Sequence, residues 1–227
     1  MLTRIVTPIV LMLAGLGAGC ATAHGTGAAA EPAAHVGDEA PLQTAIFAGG
    51  CFWCVESAFD VVDGVAEAVS GYTGGEQPDP TYDAVSAGRT GHVEAVRVRF
   101  DPAVIDYATL VELFWRQIDP TDPGGQFADR GPQYATAIFV HDAEQRTVAE
   151  RSLAALAESG RFDRPLVTPV VDAGPFYVAE SYHQDYWRKN PESYKRYRYG
   201  SGRTPFLDRV WGDEPLPRPA ARREEVF

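Results

Sequence analysis

The chain has 227 residues, 45% of them hydrophobic and 22% charged, proportions that suit one globular domain with a sizeable core. A formal net charge of −11 argues against nucleic acid as a partner, because phosphate binding requires a basic surface. The acidic balance favours solubility and names no substrate.

In chain order, residues 1–19 read as a secretory signal peptide: Arg4 precedes an apolar run from Ile5 to Leu16, and small residues lead to Cys20. The run is too short and too rich in glycine at its end for a membrane span. The segment resembles a bacterial lipoprotein signal with Cys20 as the lipid-bearing first residue, although Gly17 stands where such signals usually carry Leu. A plain signal cut after Ala23 is the alternative. Export is expected either way, to the periplasm or to an outer-membrane-anchored lipoprotein tethered through Cys20. Residues 20–41 hold this anchor site and a flexible spacer of Ala, Gly and Pro. Residues 42–212 form the domain, and 213–227, rich in Pro and mixed charge, read as a loose tail.

Within the domain "LQTAIFA" is strand-like, and Phe52, Val55, Phe59 and Val62 follow at helical spacing. "GVAEAVSGY" reads as a second strand ending in a turn-rich loop, and "HVEAVRVRF" alternates cleanly as a third. "DYATLVELFWRQI" is an amphipathic helix opened by Asp106, and "TAIFV" is another strand. A long helix follows, with Asp142 and Gln145 placed for a capping box and Gly160 for its end. "PLVTPVVDA" reads as an edge strand interrupted by Pro169. These elements sum to an α+β fold with a mixed or antiparallel sheet, not a doubly wound one.

Of three cysteines, Cys51 and Cys54 bracket a Phe-Trp pair in "GGCFWCVE". No second CxxC and no nearby His accompany them, which speaks against structural zinc, and Val55 after Cys54 removes the haem attachment pattern. A helix starting at Cys51 would place that thiol among unpaired N–H groups and lower its pKa, making Cys51 the nucleophile and Cys54 the second thiol. Positions i and i+3 of a regular helix have Cβ atoms roughly 5–6 Å apart. A disulfide wants about 3.8 Å, so closing this pair distorts the first turn.

Glu94 shares a strand face with Val96, Val98 and Phe100, while Arg97 and Arg99 point the other way. Burial there would raise its pKa, as a general acid near neutral pH requires; a wet strand end shared with His92 is the alternative. Tyr72, Tyr82, Asp129 and Tyr134 fall in two long Gly-rich loops. A tyrosine in such a place more often packs than catalyses, and the same ambiguity holds for Tyr182, His183, Asp185 and Tyr186 of "SYHQDYWRKNP".

The motifs "GGCFWCVE", "GYTGG", "YDAVSAGRTGHVEAVRVRFDP", "DPTDPGGQFADRGPQYATAIF" and "AESYHQDYWRKNP" occur in an order that resembles A-type peptide methionine sulfoxide reductases, from Phe47 to Pro191. The resemblance implies a two-layer α+β sandwich with a ferredoxin-like core. It also implies reduction of methionine S-sulfoxide, free or in oxidised proteins and peptides, with no metal and no cofactor beyond an external dithiol such as thioredoxin. Cys51 would be the nucleophile, Phe52 and Trp53 an apolar cage for the substrate methyl, and Glu94 the acid. Tyr82 and Tyr134 would hydrogen-bond the sulfoxide oxygen, and Asp129 would shape the pocket. Many members have Gly where Cys54 stands and carry resolving cysteines near the C-terminus. This chain has no cysteine after Cys54, so a Cys51 sulfenic acid would condense with Cys54. A monomer is expected. The rival reading is a thioredoxin-like thiol–disulfide exchanger, in which Glu94 and the tyrosine loops would have no role.

Overall fold

The computed structural model describes residues 41–218; the expected signal, Cys20 and nearly all of the spacer lie outside the described residues. The domain begins with β1 (Gln43–Gly49), whose Ala45 and Phe47 pack on one sheet face while Ile46 and Ala48 pack on the other. Burial on both faces is what a central strand requires. A turn at Gly50, φ +74°, leads into α1 (Phe52–Phe59). Then come β2 (Val65–Thr73), the short α2 (Tyr82–Ser86), β3 (Val93–Phe100) and α3 (Tyr107–Trp115). A two-stranded excursion, β4 (Gly125–Gln126) and β5 (Asp129–Arg130), and a 3₁₀ turn at Pro132–Tyr134 precede β6 (Thr136–Val140). The chain continues with α4 (Ala143–Glu158), β7 (Val170–Asp172), β8 (Tyr177–Val178) and three C-terminal helices, α5 (Tyr186–Lys189), α6 (Pro191–Gly200) and α7 (Arg203–Trp211).

The main sheet runs β7-β6-β1-β3-β2-β8. Its pairings are antiparallel except β6 with β7. The succession β1-α1-β2-β3-α3-β6 with strand order β6-β1-β3-β2 is the ferredoxin-like arrangement expected, and the sheet is mixed. Helices α1, α3 and α4 pack on one face of the sheet. Phe47 stacks at 5.0 Å on both Phe59 of α1 and Phe114 of α3, tying strand to helices. Each such ring, fully buried, contributes about 1.5–3 kcal/mol.

The caps read from the sequence are formed. Asp106 accepts from the N–H of Thr109 and Asp142 from that of Gln145. Gln145 reaches back to accept from His141 N–H, one residue before the expected cap position, and its amide also donates to the Thr44 carbonyl of β1. Gly160, φ +68°, ends α4 in the left-handed conformation that favours glycine. β7 starts directly after Pro169 and lies at the sheet edge, where a missing N–H costs nothing. Helix α1 stops at Phe59, so Val62 falls in the turn beyond it. The sequence reading had no counterpart for α5–α7, whose buried side chains are few: Tyr194, Arg203 and Leu207. Glu214, assigned to the tail, pairs with Arg116 and Arg161. Among the described residues no helix is long and apolar enough to cross a membrane.

Candidate active site

The central strand and the helix after it set the site. Gly50 turns the chain so tightly that a Cβ there would sit 2.5 Å from Cβ of Gln126. Cys51 follows as the N-cap of α1, at φ −50° and ψ 116°, outside the helical region. Phe52, Trp53 and Cys54 then occupy the first turn. Phe52 is 1% and Cys54 0% exposed, whereas Trp53 is half-buried. The indole of Trp53 stacks on Tyr186 at 3.8 Å and donates through Nε1 to Nδ1 of His183 at 3.2 Å. With Nδ1 accepting, Nε2 of His183 carries the proton. Burial lowers the His183 pKa and keeps the ring neutral.

Glu94, 2% exposed, lies on the apolar face of β3 as its alternation with Val96, Val98 and Phe100 requires. The wet strand end that competed with this reading is absent there: His92 is also buried, accepting from Gly75 N–H. Burial pushes the Glu94 carboxyl up to about 8, against the opposing pull of the Phe52 N–H, which donates to Oε2 at 2.9 Å. Glu94 is therefore largely protonated at neutral pH.

Glu94, Cys51, Phe52 and Trp53 border one cavity of about 110 Å³. Tyr82, Asp129 and Tyr134 complete its wall as expected, brought in by α2, β5 and the 3₁₀ turn. A further residue, Tyr197 of α6, lines it as well. Its hydroxyl donates to Asp129 Oδ2 in a short contact and lies within hydrogen-bonding reach of the Cys51 sulfur. The phenols stay protonated: burial raises Tyr82 to about 12 and shifts Tyr134 and Tyr197 upward too. Tyr82 is held from behind by Glu180, which accepts from its backbone N–H and from the Tyr72 hydroxyl. Tyr72 thus supports the pocket without lining it.

The cysteines depart from the sequence expectation. Cys51 faces the cavity but is only 6% exposed, and burial pushes its thiol well above the usual value. Cys54 falls to about 6, because Cys51 hydrogen-bonds it and Arg203 and Arg198 lie close. The proton of the pair therefore rests on Cys51, and the anion on Cys54. The reason is local. The free N–H at the start of α1 that was expected to stabilise a Cys51 thiolate is spent on Glu94, and the cations lie behind Cys54. The spacing problem also disappears, since Cys51 stands outside the helix and the two sulfurs, not joined in a disulfide, are in hydrogen-bonding contact.

Tyr197, Arg198 and Arg203 were not found from the sequence. The tyrosines of "YKRYRYG" at helical spacing were the available signal, and they read equally well as a solvated face.

A family profile described as peptide methionine sulfoxide reductase matches residues 43–215. The chain is 55% identical over 170 residues to the peptide methionine sulfoxide reductase MsrA of Bacillus licheniformis, covering 75% of this chain and 94% of that one. It is 56% identical over 168 residues to the protein of the same name from Ligilactobacillus salivarius, covering 74% and 97%. Among solved structures, methionine sulfoxide reductase A of Corynebacterium diphtheriae superposes with a TM-score of 0.60 at 32% identity, over 68% of this chain and 77% of that one. Mxr1 from Saccharomyces cerevisiae in reduced form gives 0.59 at 30% identity, over 68% and 89%.

Proposed function

This chain belongs to the peptide methionine sulfoxide reductase family and is an oxidoreductase, and from that premise we propose that it reduces methionine S-sulfoxide, free or in proteins, to methionine by way of Cys51. The observation that carries the reading is the meeting of a protonated Glu94 and the Cys51 sulfur at one aromatic-walled cavity. A thioredoxin-like exchanger leaves the aromatic wall and the three phenols that surround this sulfur and carboxyl without a role. The substrate methyl sits against Phe52 and Trp53, and Tyr82, Tyr134 and Glu94 address the sulfoxide oxygen. Proton donation there makes the substrate sulfur electrophilic in a site that largely excludes water. The Cys51 sulfur attacks, and the oxygen protonated by Glu94 passes from the substrate sulfur to that of Cys51. Methionine leaves with the electron pair of its broken S–O bond, so that Cys51 is left as the sulfenic acid. The sulfur of Cys54 then bonds to that of Cys51 as the S–O bond breaks, and the oxygen departs as water. An external dithiol of thioredoxin type reduces the disulfide by exchange and is itself oxidised.

The working unit is the monomeric domain from residue 42, extended past 212 to at least Glu214 by that residue's pairs with Arg116 and Arg161. It is exported behind the signal at residues 1–19, with Cys20 as its lipid attachment and a plain cut after Ala23 as the alternative. Intact-mass measurement of membrane-extracted protein tests the acyl group. The activity itself is tested by incubating the full chain with dithiothreitol and each epimer of a methionine sulfoxide peptide. Conversion of the S epimer alone is expected, and no turnover of either epimer overturns the reading. Cys51→Ser abolishes turnover. Cys54→Ser releases methionine once per enzyme and loses recycling by a thioredoxin-type donor; full recycling would remove Cys54 from the resolving role.

A further inference from the structure

Two arginines that do not line the cavity converge on the cysteine pair. Arg203, the first residue of α7, is 1% exposed and donates to the carbonyls of Gln117 and, at 2.9 Å, Gly49. Arg198 of α6 donates to the Cys54 carbonyl and the Tyr194 hydroxyl, both at 3.3 Å, and to Oε1 of Gln117 at 2.9 Å. Its guanidinium also hydrogen-bonds the Cys54 side chain. The hydrogen-bond acceptors of both arginines are thus carbonyl, amide, phenol and sulfur atoms, not carboxylates. Arg198 is half-buried, but at Arg203 a buried cation without an anionic partner is costly, and so is a buried anion such as a Cys54 thiolate without a cation. The sulfur of Cys54 is the group at this place whose ionisation satisfies both.

We propose that Arg198 and Arg203 are positioning residues that keep the Cys54 sulfur anionic, so that it accepts the proton of Cys51 when a sulfoxide enters and afterwards closes the disulfide. The inference deepens the reading above and rests on it for the second role. In the resting pair Cys51 donates its S–H to the Cys54 sulfur. Transfer of that proton along the existing hydrogen bond makes Cys51 the thiolate at the moment of attack and leaves Cys54 as the thiol. After methionine has left, the Cys54 sulfur bonds to Cys51, the S–O bond breaks, and the proton held by Cys54 leaves with the oxygen as water. No outside base enters either step. The same cations stabilise Cys54 as leaving group when a dithiol reopens the bond, since exchange is faster when the departing thiol has a low pKa. Every element packed around Cys54 contributes to its charge balance. Cys51 and the two arginines favour the anion, while Glu94 of β3 and Tyr194 of α6 stay neutral beside it because burial raises both. Tyr197 of α6 faces Cys51 rather than Cys54.

The test uses the full chain with Cys20 and Cys51 both replaced by Ser, which leaves Cys54 as its single cysteine. Titration is followed by the ultraviolet absorbance of the thiolate. Arg203 is enclosed and also ties two carbonyls, so Arg198 is the residue to vary. Arg198→Met is expected to move the Cys54 midpoint upward by about 1–3 pH units, and Arg198→Lys to hold it near the parent value. In the otherwise native chain, the rate of disulfide closure after one equivalent of sulfoxide shifts along pH in the same direction with Met and returns with Lys. An Arg198→Met midpoint equal to the parent's overturns the proposal, as does a Lys variant that behaves like Met. The titration involves no sulfoxide, so its failure is distinguishable from failure of the proposed activity, which the epimer assay decides separately.

Discussion

Glu94 and the cysteine pair are where single residues decide the chemistry. The carboxyl is neutral because burial outweighs the one N–H that favours its anion. The consequence is a pH dependence whose direction is fixed: the acid is present below about 8 and is lost as pH rises through that value. The acidic limb comes from the cysteine pair, which loses its anion as Cys54 protonates near about 6. A bell-shaped profile of kcat/KM between these limits is therefore expected. Glu94→Gln keeps a hydrogen-bond donor but not a transferable proton. It should lower kcat/KM by about 10²–10⁴-fold and erase the basic limb. A basic limb that survives in this variant would assign the titration to another group.

At the scale of elements, the site is made by the β1–α1 connection. Gly50 occupies the left-handed region at φ +74°, with Gln126 of β4 packed where a Cβ would stand. The side chain of Gln126 is itself fixed, donating to the Asp119 and Gly125 carbonyls and accepting from Asp119 N–H. Gly50→Ala therefore combines backbone strain with a clash against a rigid neighbour. It is expected to destabilise by more than about 1 kcal/mol in urea unfolding and to cut turnover by displacing Cys51. An alanine variant of wild-type stability would show that the turn is looser than its geometry. The short elements carry as much of the site as the long ones: α2, β5 and the 3₁₀ turn each deliver one wall residue, and α6 delivers Tyr197.

Across the whole molecule, Glu56 joins α1, β2 and the approach to α5. It is 1% exposed and accepts from the Ser70 hydroxyl and the Asp185 N–H. Burial raises its carboxyl from 4.5 to about 7. The folded state thus holds this proton more tightly than the unfolded chain does. The stability it contributes is fully present below 4.5, declines as pH rises to about 7, and levels off above. Glu94 extends the same decline to about 8. Glu56→Gln, which preserves the shape, is expected to flatten the lower part of this slope. Its Tm relative to the parent should rise between pH 5 and 8, about 2–4 °C for each kcal/mol recovered. A Tm difference that stays constant over that range would sink the assignment.

The sequence by itself determined the longer strands and helices from β1 to β7, the caps at Asp106 and Asp142, the edge position of β7, and the placement of Glu94 on the apolar face of β3. Each of these is a local matter of periodicity or of a side chain bonding its own backbone, and such signals survive in one dimension. The ordered motifs, through their resemblance to a family, likewise named seven of the eight cavity residues, Tyr197 being the exception. Only the tertiary structure decided which sulfur carries the charge. That depends on Arg198 and Arg203, brought behind Cys54 from helices far along the chain, and on a carboxyl of β3 taking the N–H that Cys51 was expected to have. Charges in a low-dielectric interior act through space, and no spacing of letters records which of them will meet.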